Sequence, residues 1–264
     1  MIKSNLKANN VLRQSKYYLG TVKSKRVSNF DNLVVRDQET LVNPKFLEYS
    51  YAVSNTTNLH LLCDTIGERI DTLAQAKPND ISYKFALTQT TFTFRELKQR
   101  VDELAQSFLN MGLQKGDRLA IMLPNIPEMN LSVLAAASIG VIAVLMNPAY
   151  QLVEIEYMLK KTGAKGIIML DNLKMLQHYA ILNKICPELE TATKGELNSK
   201  NLPDLKHVIL VKNRLMNDAN MKYSGTWSFN ELEKFNSASK PKPYVDFDDA
   251  FAMLFTVSQF FIQV

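Results

Sequence analysis

The sequence predicts an α/β fold in which βαβ units build layers around a parallel sheet. Short, unbroken apolar runs recur along the chain, and such runs are typical of strands covered on both faces. The runs lie at residues 119–123, 141–146, 167–170 and 208–211. Segments of helical length with one apolar side separate or flank them, at residues 127–138, 152–162 and 173–185. Because a helix between neighbouring parallel strands makes a right-handed crossover, this alternation predicts one layered α/β structure.

The residues before the first run predict a helix and two short strands. From Asn58 onward, apolar side chains recur on one face of a helix, which must end by Pro78 because proline cannot continue it. The strands follow at residues 81–87 and around Phe92.

A second helix is predicted from its two ends. Thr93 and Glu96 have the spacing of a capping box, in which the hydroxyl accepts from a first-turn amide and the carboxylate reaches back to the cap. Gly112 supplies the turn that ends the helix.

The C-terminal part of the chain is less regular. Residues 213–245 are polar and poorly patterned, and we interpret them as a long excursion around Trp227. An apolar run then predicts a last strand at residues 250–256. The apolar stretch 131–146 is shorter than the ~20 residues that cross a bilayer, so it is interpreted as buried core.

Charge is concentrated at the N-terminus. The chain has 264 residues, 46% of them hydrophobic and 22% charged, which is typical of a globular protein. Its net charge is +5, but seven of its 31 basic side chains and none of its 26 acids lie in residues 1–30. The remaining 24 basic side chains are fewer than the acids, which argues against a nucleic-acid-binding surface on the folded body.

The basic N-terminal segment predicts a targeting sequence. Residues 1–30 are basic, free of acids, rich in Ser and Asn, and interspersed with apolar residues, a composition typical of a mitochondrial transit peptide. A basic tail without a targeting role is the alternative. We predict four segments: a transit peptide (1–30), a leader (31–57), a partial α/β domain (58–256) and a divergent tail (257–264). Cys63 and Cys186 are interpreted as reduced thiols rather than a disulfide.

An ordered series of motifs in the α/β part resembles the AMP-forming acyl-CoA synthetases, the adenylate-forming family. The first motifs are Thr93-Phe94-Arg95-Glu96-Leu97, Gly112-Leu113, Lys115-Gly116-Asp117-Arg118-Leu119-Ala120-Ile121, Leu123-Pro124-Asn125 and Pro127-Glu128. The series continues with Gly140-Val141-Ile142, Asn147-Pro148-Ala149-Tyr150, Glu154-Ile155-Glu156-Tyr157-Met158-Leu159 and Gly163-Ala164-Lys165. Three stretches look closest to the mitochondrial acyl-CoA synthetase family member 2 group: residues 154–161, Ile185-Cys186-Pro187-Glu188 and Leu202-Pro203-Asp204-Leu205.

The resemblance implies the N-terminal domain of an adenylate-forming enzyme, and here an incomplete one. Such enzymes join a medium-chain fatty acid to AMP with release of pyrophosphate, then transfer the acyl group to CoA, in the mitochondrial matrix for this group. ATP, Mg²⁺ and CoA are implied for the full-length enzyme. The family's phosphate loop, rich in Ser, Gly and Thr, follows the strand represented here by residues 250–256, and Phe255-Thr256 match its first positions.

The residues that follow Thr256 differ from that loop. They read Val257-Ser258-Gln259-Phe260-Phe261-Ile262-Gln263-Val264, with no glycine and no lysine. Phosphate loops need glycine conformations and backbone amides to hold the anion. We therefore expect no catalytic, cofactor-binding or metal-ligating residue in this chain and no activity of the chain alone.

Two functional hypotheses stay open at this point. The first is the front part of a fatty-acyl-CoA synthetase, and the second is a non-catalytic binding or interaction module from a truncated isoform. Since Val-Ser codons resemble the start of an intron, intron read-through or a truncated gene model is a further hypothesis for the tail.

Other candidate site residues favour structural roles. His60, His178 and His207 lack the spacing of metal ligands, so we interpret them as surface or hydrogen-bonded histidines. Asp248-Asp249 are adjacent, and adjacent strand residues point to opposite faces, which argues against a Mg²⁺ pair and favours a polar start to the last strand. Ligands of open α/β sheets bind beyond the carboxyl ends of strands, so the turns after Leu123, Met146 and Leu170 are nearest to any site.

Overall fold

The structure, a computed structural model, describes residues 63–86, 88–173, 176–213, 223–232 and 242–255. Apart from Cys63 and Asp64, these residues belong to one compact unit that begins at Thr65. The transit peptide, leader and divergent tail lie outside the described residues, as do His60 and Thr256, so the interpretations of these parts stay predictions.

The first described helix, α1 (Ile66–Ala76), begins at a capping box. The Thr65 hydroxyl accepts from the Glu68 amide at 3.2 Å, and the Glu68 carboxylate accepts from the Thr65 amide at 2.9 Å. Residues 63–65 are not helical, so the prediction of one helix running from Asn58 was wrong. The box satisfies amides that would otherwise lack partners, and it fixes the start of the helix at this point.

A hairpin and a long helix follow, as predicted. Strands β1 (Ile81–Phe85) and β2 (Thr90–Thr93) pair antiparallel. Helix α2 (Phe94–Asn110) starts at the Thr93–Glu96 capping box. At its end the Leu113 amide donates to the Phe108 carbonyl and the Gly112 amide to the Leu109 carbonyl, a Schellman motif with Gly112 at φ +94°.

Six parallel strands form the main sheet. They are β3 (Arg118–Met122), β4 (Ile142–Leu145), β5 (Gly166–Leu170), β6 (His207–Val211), β7 (Thr226–Ser228) and β8 (Ala252–Met253). Their spatial order is β7-β6-β5-β3-β4-β8, and every neighbouring pair is parallel. The predicted fold class is confirmed.

Helices cover both faces of this sheet. Besides α1 and α2, they are α3 (Pro127–Ser138), α4 (Leu152–Thr162), α5 (His178–Ile185), a 3-10 helix (Pro187–Glu190) and the single turn α6 (Phe229–Leu232). In β3, Leu119 and Ile121 belong to the core shared with α1, α2 and α3, whereas Ala120 and Met122 belong to the core shared with α4 and α5. This alternation of side chains is how one buried strand supplies two cores.

Two predicted elements differ from the structure. Helix α5 begins at His178 rather than Leu173, because Leu173 and Leu176 exchange backbone hydrogen bonds of 2.7 and 2.9 Å and turn the chain before the helix. The predicted excursion at 213–245 contains strand β7 and α6, so describing it as unpatterned was wrong for its described part. The Thr226–Ser228 strand has only three residues, too few to show a period.

The last strand is shorter than predicted, since β8 comprises Ala252–Met253 within the predicted 250–256. The apolar stretch 131–146 is divided between α3 and β4 and belongs to the core. Within the part of the chain that the structure describes, no helix has the length and apolar character needed to span a membrane.

Candidate functional site at the carboxyl edge of the sheet

The strand order creates a crevice at the carboxyl edge of the sheet. The connection leaving β3 leads to α3 on one face, whereas the connection leaving its neighbour β5 leads to α5 on the other face. Where adjacent parallel strands send their connections to opposite faces, open α/β sheets bind their ligands. We call the space between the carboxyl ends of β3 and β5 the switch-point crevice, and the turns predicted to lie nearest a site border it.

The turn after β3 directs the chain into α3. Pro124 follows the last apolar residues of the strand, and the Ile126 amide donates to its carbonyl at 2.8 Å. Helix α3 then starts with Pro127, whose missing amide costs nothing at this position, and Glu128 is buried in its first turn. The sequence motif Pro124-Asn125 therefore ends a strand and orients a helix.

The turn after β4, residues 147–150, is held by its own hydrogen bonds, and we call it the β4 turn. The Asn147 side-chain oxygen accepts from the Ala149 amide at 2.9 Å, and the Tyr150 amide donates to the Asn147 carbonyl at 3.0 Å. Just before it, the Met146 amide donates to the Ile121 carbonyl at 3.0 Å, which attaches the start of the turn to β3.

A polar network joins the ends of β5 and β6. The buried carboxylate of Asp171 accepts from the Asn172 amide at 2.8 Å and from the Asn213 amide at 2.9 Å. The Asn213 side-chain amide in turn donates to the Asn172 carbonyl at 3.1 Å. A carboxylate held by backbone donors is fixed in position.

His178, the first residue of α5, is fully buried beside the β4 turn. Its Nε2 lies 2.9 Å from the Pro148 carbonyl oxygen, and its Nδ1 lies 3.3 Å from the Leu170 carbonyl oxygen. Burial lowers the pKa of the ring, although the two carbonyls and the charge of Asp171 act in the opposite direction. The interpretation of His178 as a hydrogen-bonded histidine is confirmed.

His207 lies at the opposite, amino edge of the sheet, at the start of β6. It is buried, and within the described residues its Nδ1 has no hydrogen-bond partner. Burial, followed by the charges of Lys165 and Lys206, lowers the pKa of this ring. The structure therefore does not bring His207 and His178 together.

Asp248 and Asp249 lie in a turn before β8 rather than on a strand, so placing them on opposite faces of a strand was wrong. Their interpretation as the polar start to the last strand is confirmed. The Asp249 carboxylate accepts from the Asp246 amide at 2.6 Å and pairs with Lys115 at 2.5 Å. This pairing uses Asp249 to attach the segment that leads into β8. Among the residues that the structure describes, no three His, Cys, Asp or Glu side chains come together as a metal site.

Strand β8 brings the chain to the same edge as the crevice. It runs parallel to β4, with Ala252 opposite Ala143 and Met253 opposite Val144, so the chain leaves it at the carboxyl edge. The next described residues, Leu254 and Phe255, therefore lie at the carboxyl side of the sheet, as do the β4 turn and the switch-point crevice.

The family model for the AMP-binding enzymes matches residues 70–257, most of the chain. This chain belongs to the AMP-binding enzyme family. The predicted resemblance to adenylate-forming acyl-CoA synthetases is thereby confirmed. The match covers every strand and helix of the parallel sheet described above, including the three turns at its carboxyl edge.

Curated relatives of this AMP-binding chain carry ligase names. The rat protein named mitochondrial medium-chain acyl-CoA ligase ACSF2 is 43% identical over 159 residues, which are 60% of this chain and 26% of the rat protein. The human protein of the same name is 40% identical over 176 residues, or 67% of this chain and 28% of its own. The chain thus spans about a quarter of the length of the curated relatives it matches.

Solved structures share the fold of this AMP-binding chain. A putative long-chain-fatty-acid CoA ligase from Rhodopseudomonas palustris matches with a TM-score of 0.57 and 19% identity, covering 75% of this chain and 42% of that one. The inhibitor-bound N-terminal domain of FACL13 from Mycobacterium tuberculosis matches with a TM-score of 0.56 and 17% identity, again covering 75% and 42%. These likenesses confirm the predicted α/β fold, which the FACL13 N-terminal domain shares.

The sequence pattern located the three turns but not the contacts between them. The spacing between His178 and Pro148 or Leu170 carries no motif, since the ring contacts backbone carbonyls that any residue presents. The hydrogen bond between Asp171 and Asn213 likewise corresponds to no sequence motif. The available signal for that network was a polar residue within two positions after each of two neighbouring buried strands, Asp171 after β5 and Asn213 after β6.

Proposed function

We propose that this chain forms the N-terminal part of a mitochondrial, AMP-forming medium-chain fatty-acyl-CoA ligase. The observation that carries the proposal is the 43% identity to the rat medium-chain ligase over 159 residues, 60% of this chain. The substrates are then a medium-chain fatty acid, ATP and CoA. The fatty acid carboxylate attacks the α-phosphate of ATP, pyrophosphate leaves, and the CoA thiol then displaces AMP from the acyl adenylate.

The chain's own contribution to this chemistry is positional. Its strands place three turns around the switch-point crevice, and the chain leaves β8 at the same edge, where the family's phosphate loop follows. At the ends of β5 and β6, the Asp171 carboxylate and the amides of Asn172 and Asn213 bond to one another. A triphosphate needs positive charge and backbone amides from elsewhere.

We further propose that these 264 residues do not form acyl adenylate by themselves. The sequence has neither a G-x-x-x-x-G-K-[ST] loop nor a G-x-G-x-x-G loop to hold phosphates. This observation supports the expectation that the charge on ATP is not neutralised by this polypeptide alone.

A chimera tests the ligase assignment. Residues 70–255 of this chain replace the matching segment of the rat medium-chain ligase, and octanoate-dependent ATP–pyrophosphate exchange is measured. We expect exchange from the chimera and none from the 264-residue chain. A cooperatively folded chimera without exchange would overturn the ligase assignment, and exchange by the chain alone would overturn its proposed inactivity.

Targeting is tested separately. Residues 1–30 fused to a fluorescent protein should direct it to mitochondria, because a basic, acid-free segment of this kind is imported. The matched control replaces the seven basic side chains by Gln and should remain in the cytosol. Cytosolic localisation of the native fusion would contradict the mitochondrial part of the proposal.

A further inference from the structure

We propose that His178 is a positioning residue of the switch-point crevice: its Nε2–H holds the β4 turn against the ends of β5 and α5. The inference rests on the proposed function in one respect, since it takes the crevice as the place where substrate binds. The contacts that support it do not depend on which substrate that is.

The ring lies where three segments meet. Pro148 belongs to the β4 turn, Leu170 is the last residue of β5, and His178 itself opens α5. The hydrogen bonds within the β4 turn fix its shape, and the Met146 amide attaches its start to β3. The 2.9 Å contact of Nε2 with the Pro148 carbonyl attaches the middle of the turn to a different strand and a helix. This side chain therefore supplies a polar connection between the two sides, beside the packing of Tyr150 and Leu152 against the same core.

The geometry also assigns the tautomer. Both contacts are to carbonyl oxygens, which only accept, and a neutral imidazole has one N–H. Only one contact is then a hydrogen bond, and the shorter one, at Nε2, is the better candidate because 3.3 Å is long for an N–H···O bond. The working bond is Nε2–H···O=C of Pro148.

The surroundings keep the ring neutral near pH 7. Its burial disfavours the charged form, and its place at the first position of α5 puts it at the positive end of that helix dipole. Asp171, at the end of β5, is the charged group that opposes this effect. The β4 turn, Asn-Pro-Ala-Tyr, contributes no acidic or basic side chain.

Two substitutions separate the two ring nitrogens. The terminal amide of Gln reaches the position of Nε2, whereas that of Asn reaches only the position of Nδ1. His178→Gln therefore keeps a donor for Pro148, and His178→Asn keeps one for Leu170. A purely space-filling role would not distinguish the donors in this way.

Hydrogen–deuterium exchange of the full chain, followed by mass spectrometry, measures the effect. We expect amides of residues 149–151 to exchange about five- to tenfold faster in His178→Asn, the change expected from losing one net hydrogen bond. We expect near-native exchange there in His178→Gln. Amides of Gly166–Leu170 in β5 serve as the internal control for folding and should stay slow in both variants.

Each outcome decides the proposal. Equal exchange of the turn in the Gln and Asn variants overturns it, as does faster exchange or unfolding in the Gln variant. If the Asn variant unfolds, a native-like turn in the Gln variant still supports the ε donor. In the chimera, His178→Asn should lower the pyrophosphate exchange rate and His178→Gln should recover it. If the chimera with native His178 is inactive, the ligase assignment is wrong. The hydrogen–deuterium exchange experiment still tests the role of His178 in that case.

Discussion

The guanidinium of Arg118, at the start of β3, donates to the carbonyl of Gly163 at the C-terminal end of α4, with 2.8 Å between Nη2 and the oxygen. Its Nε donates to the Thr162 carbonyl at 2.7 Å. Since the last carbonyls of a helix lack partners within it, Arg118 caps α4 and attaches it to the central strand. This contact between Arg118 and α4 lies at the amino edge of the sheet, which is the edge opposite the crevice.

Gly163 is the residue that this cap requires. Its φ is +58°, and a Cβ here would lie 2.8 Å from Arg118 Nη2 and 3.3 Å from Asp204 Oδ2. We expect Gly163→Ala to lower the free energy of unfolding by about 1–2 kcal/mol, through the left-handed backbone alone. Gly67→Ala is the matched control, because it lies in α1 with 3.4 Å to the nearest atom, and it should raise stability by about 0.5–1 kcal/mol. Urea unfolding measures both, and equal effects would contradict the cap.

Two buried histidines predict a pH dependence of stability. Burial lowers the pKa of both His178 and His207 in the folded chain. The unfolded chain, with histidine pKa near 6.5, therefore binds more protons as the pH falls below about 7. The free energy of unfolding should be constant above that pH and decrease as the pH falls through 6.5 towards the folded pKa values. Urea unfolding between pH 7.5 and 5.5 tests this, and stability that rises on acidification would contradict it. His207→Phe should make the decrease shallower.

The segment that leads into β8 is attached by Lys115. Its Nζ pairs with the Asp249 carboxylate at 2.5 Å and donates to the Tyr244 carbonyl at 3.1 Å. Burial of Asp249 raises the pKa of its carboxyl, but the hydrogen bonds from Lys115 and from the Asp246 amide, together with the charge of Lys115, outweigh burial and lower that pKa. We expect Lys115→Gln to speed amide exchange in residues 251–255 by up to about fivefold at low salt, and less at high salt. Lys194→Gln, which breaks the ion pair with Glu231 instead, should leave that exchange unchanged.

The two cysteines should differ in reactivity. Burial, followed by the charge of Glu188, raises the pKa of the Cys186 thiol to about 12, whereas Cys63 is partly exposed. Because the thiolate is the nucleophile, iodoacetamide at pH 8 should modify Cys63 and spare Cys186 in the folded chain. Mass spectrometry of the labelled peptides checks this, and labelling in denaturant should reach both thiols. Rapid labelling of Cys186 without denaturant would contradict its burial.

Elements with local end signals were predictable from sequence. Helix α3 starts at Pro127 and α4 ends before Gly163, and both sets of bounds agree with the structure. The start of α1 was misplaced although Thr65 and Glu68 carry a capping-box spacing, because the apolar period continues through them. The start of α5 depended on hydrogen bonds between Leu173 and Leu176, which do not change the spacing of apolar residues in the sequence.

The candidate site was predictable only as a set of turns. Parallel strands put their carboxyl ends at one edge, so the location followed from the strand pattern. The strand order could not be predicted from that pattern, because β5 inserts beside β3 rather than β4 and no local sequence feature encodes this choice. The role of His178 depends on this order, since the ring meets Pro148 and Leu170 only after the strands are assembled.

The pairing of β8 with β4 also has a consequence for synthesis on the ribosome. Ala252 must find Ala143, far back along the chain, after β5, β6 and β7 have been added at the other side of β3. Closing so long a loop is entropically costly, and contacts of this kind form late in folding. The nascent chain would therefore assemble the β7-β6-β5-β3-β4 sheet first. The edge of β4 stays unpaired until the final residues of the described domain emerge, and during that interval it is the part of the sheet most exposed to wrong strand partners.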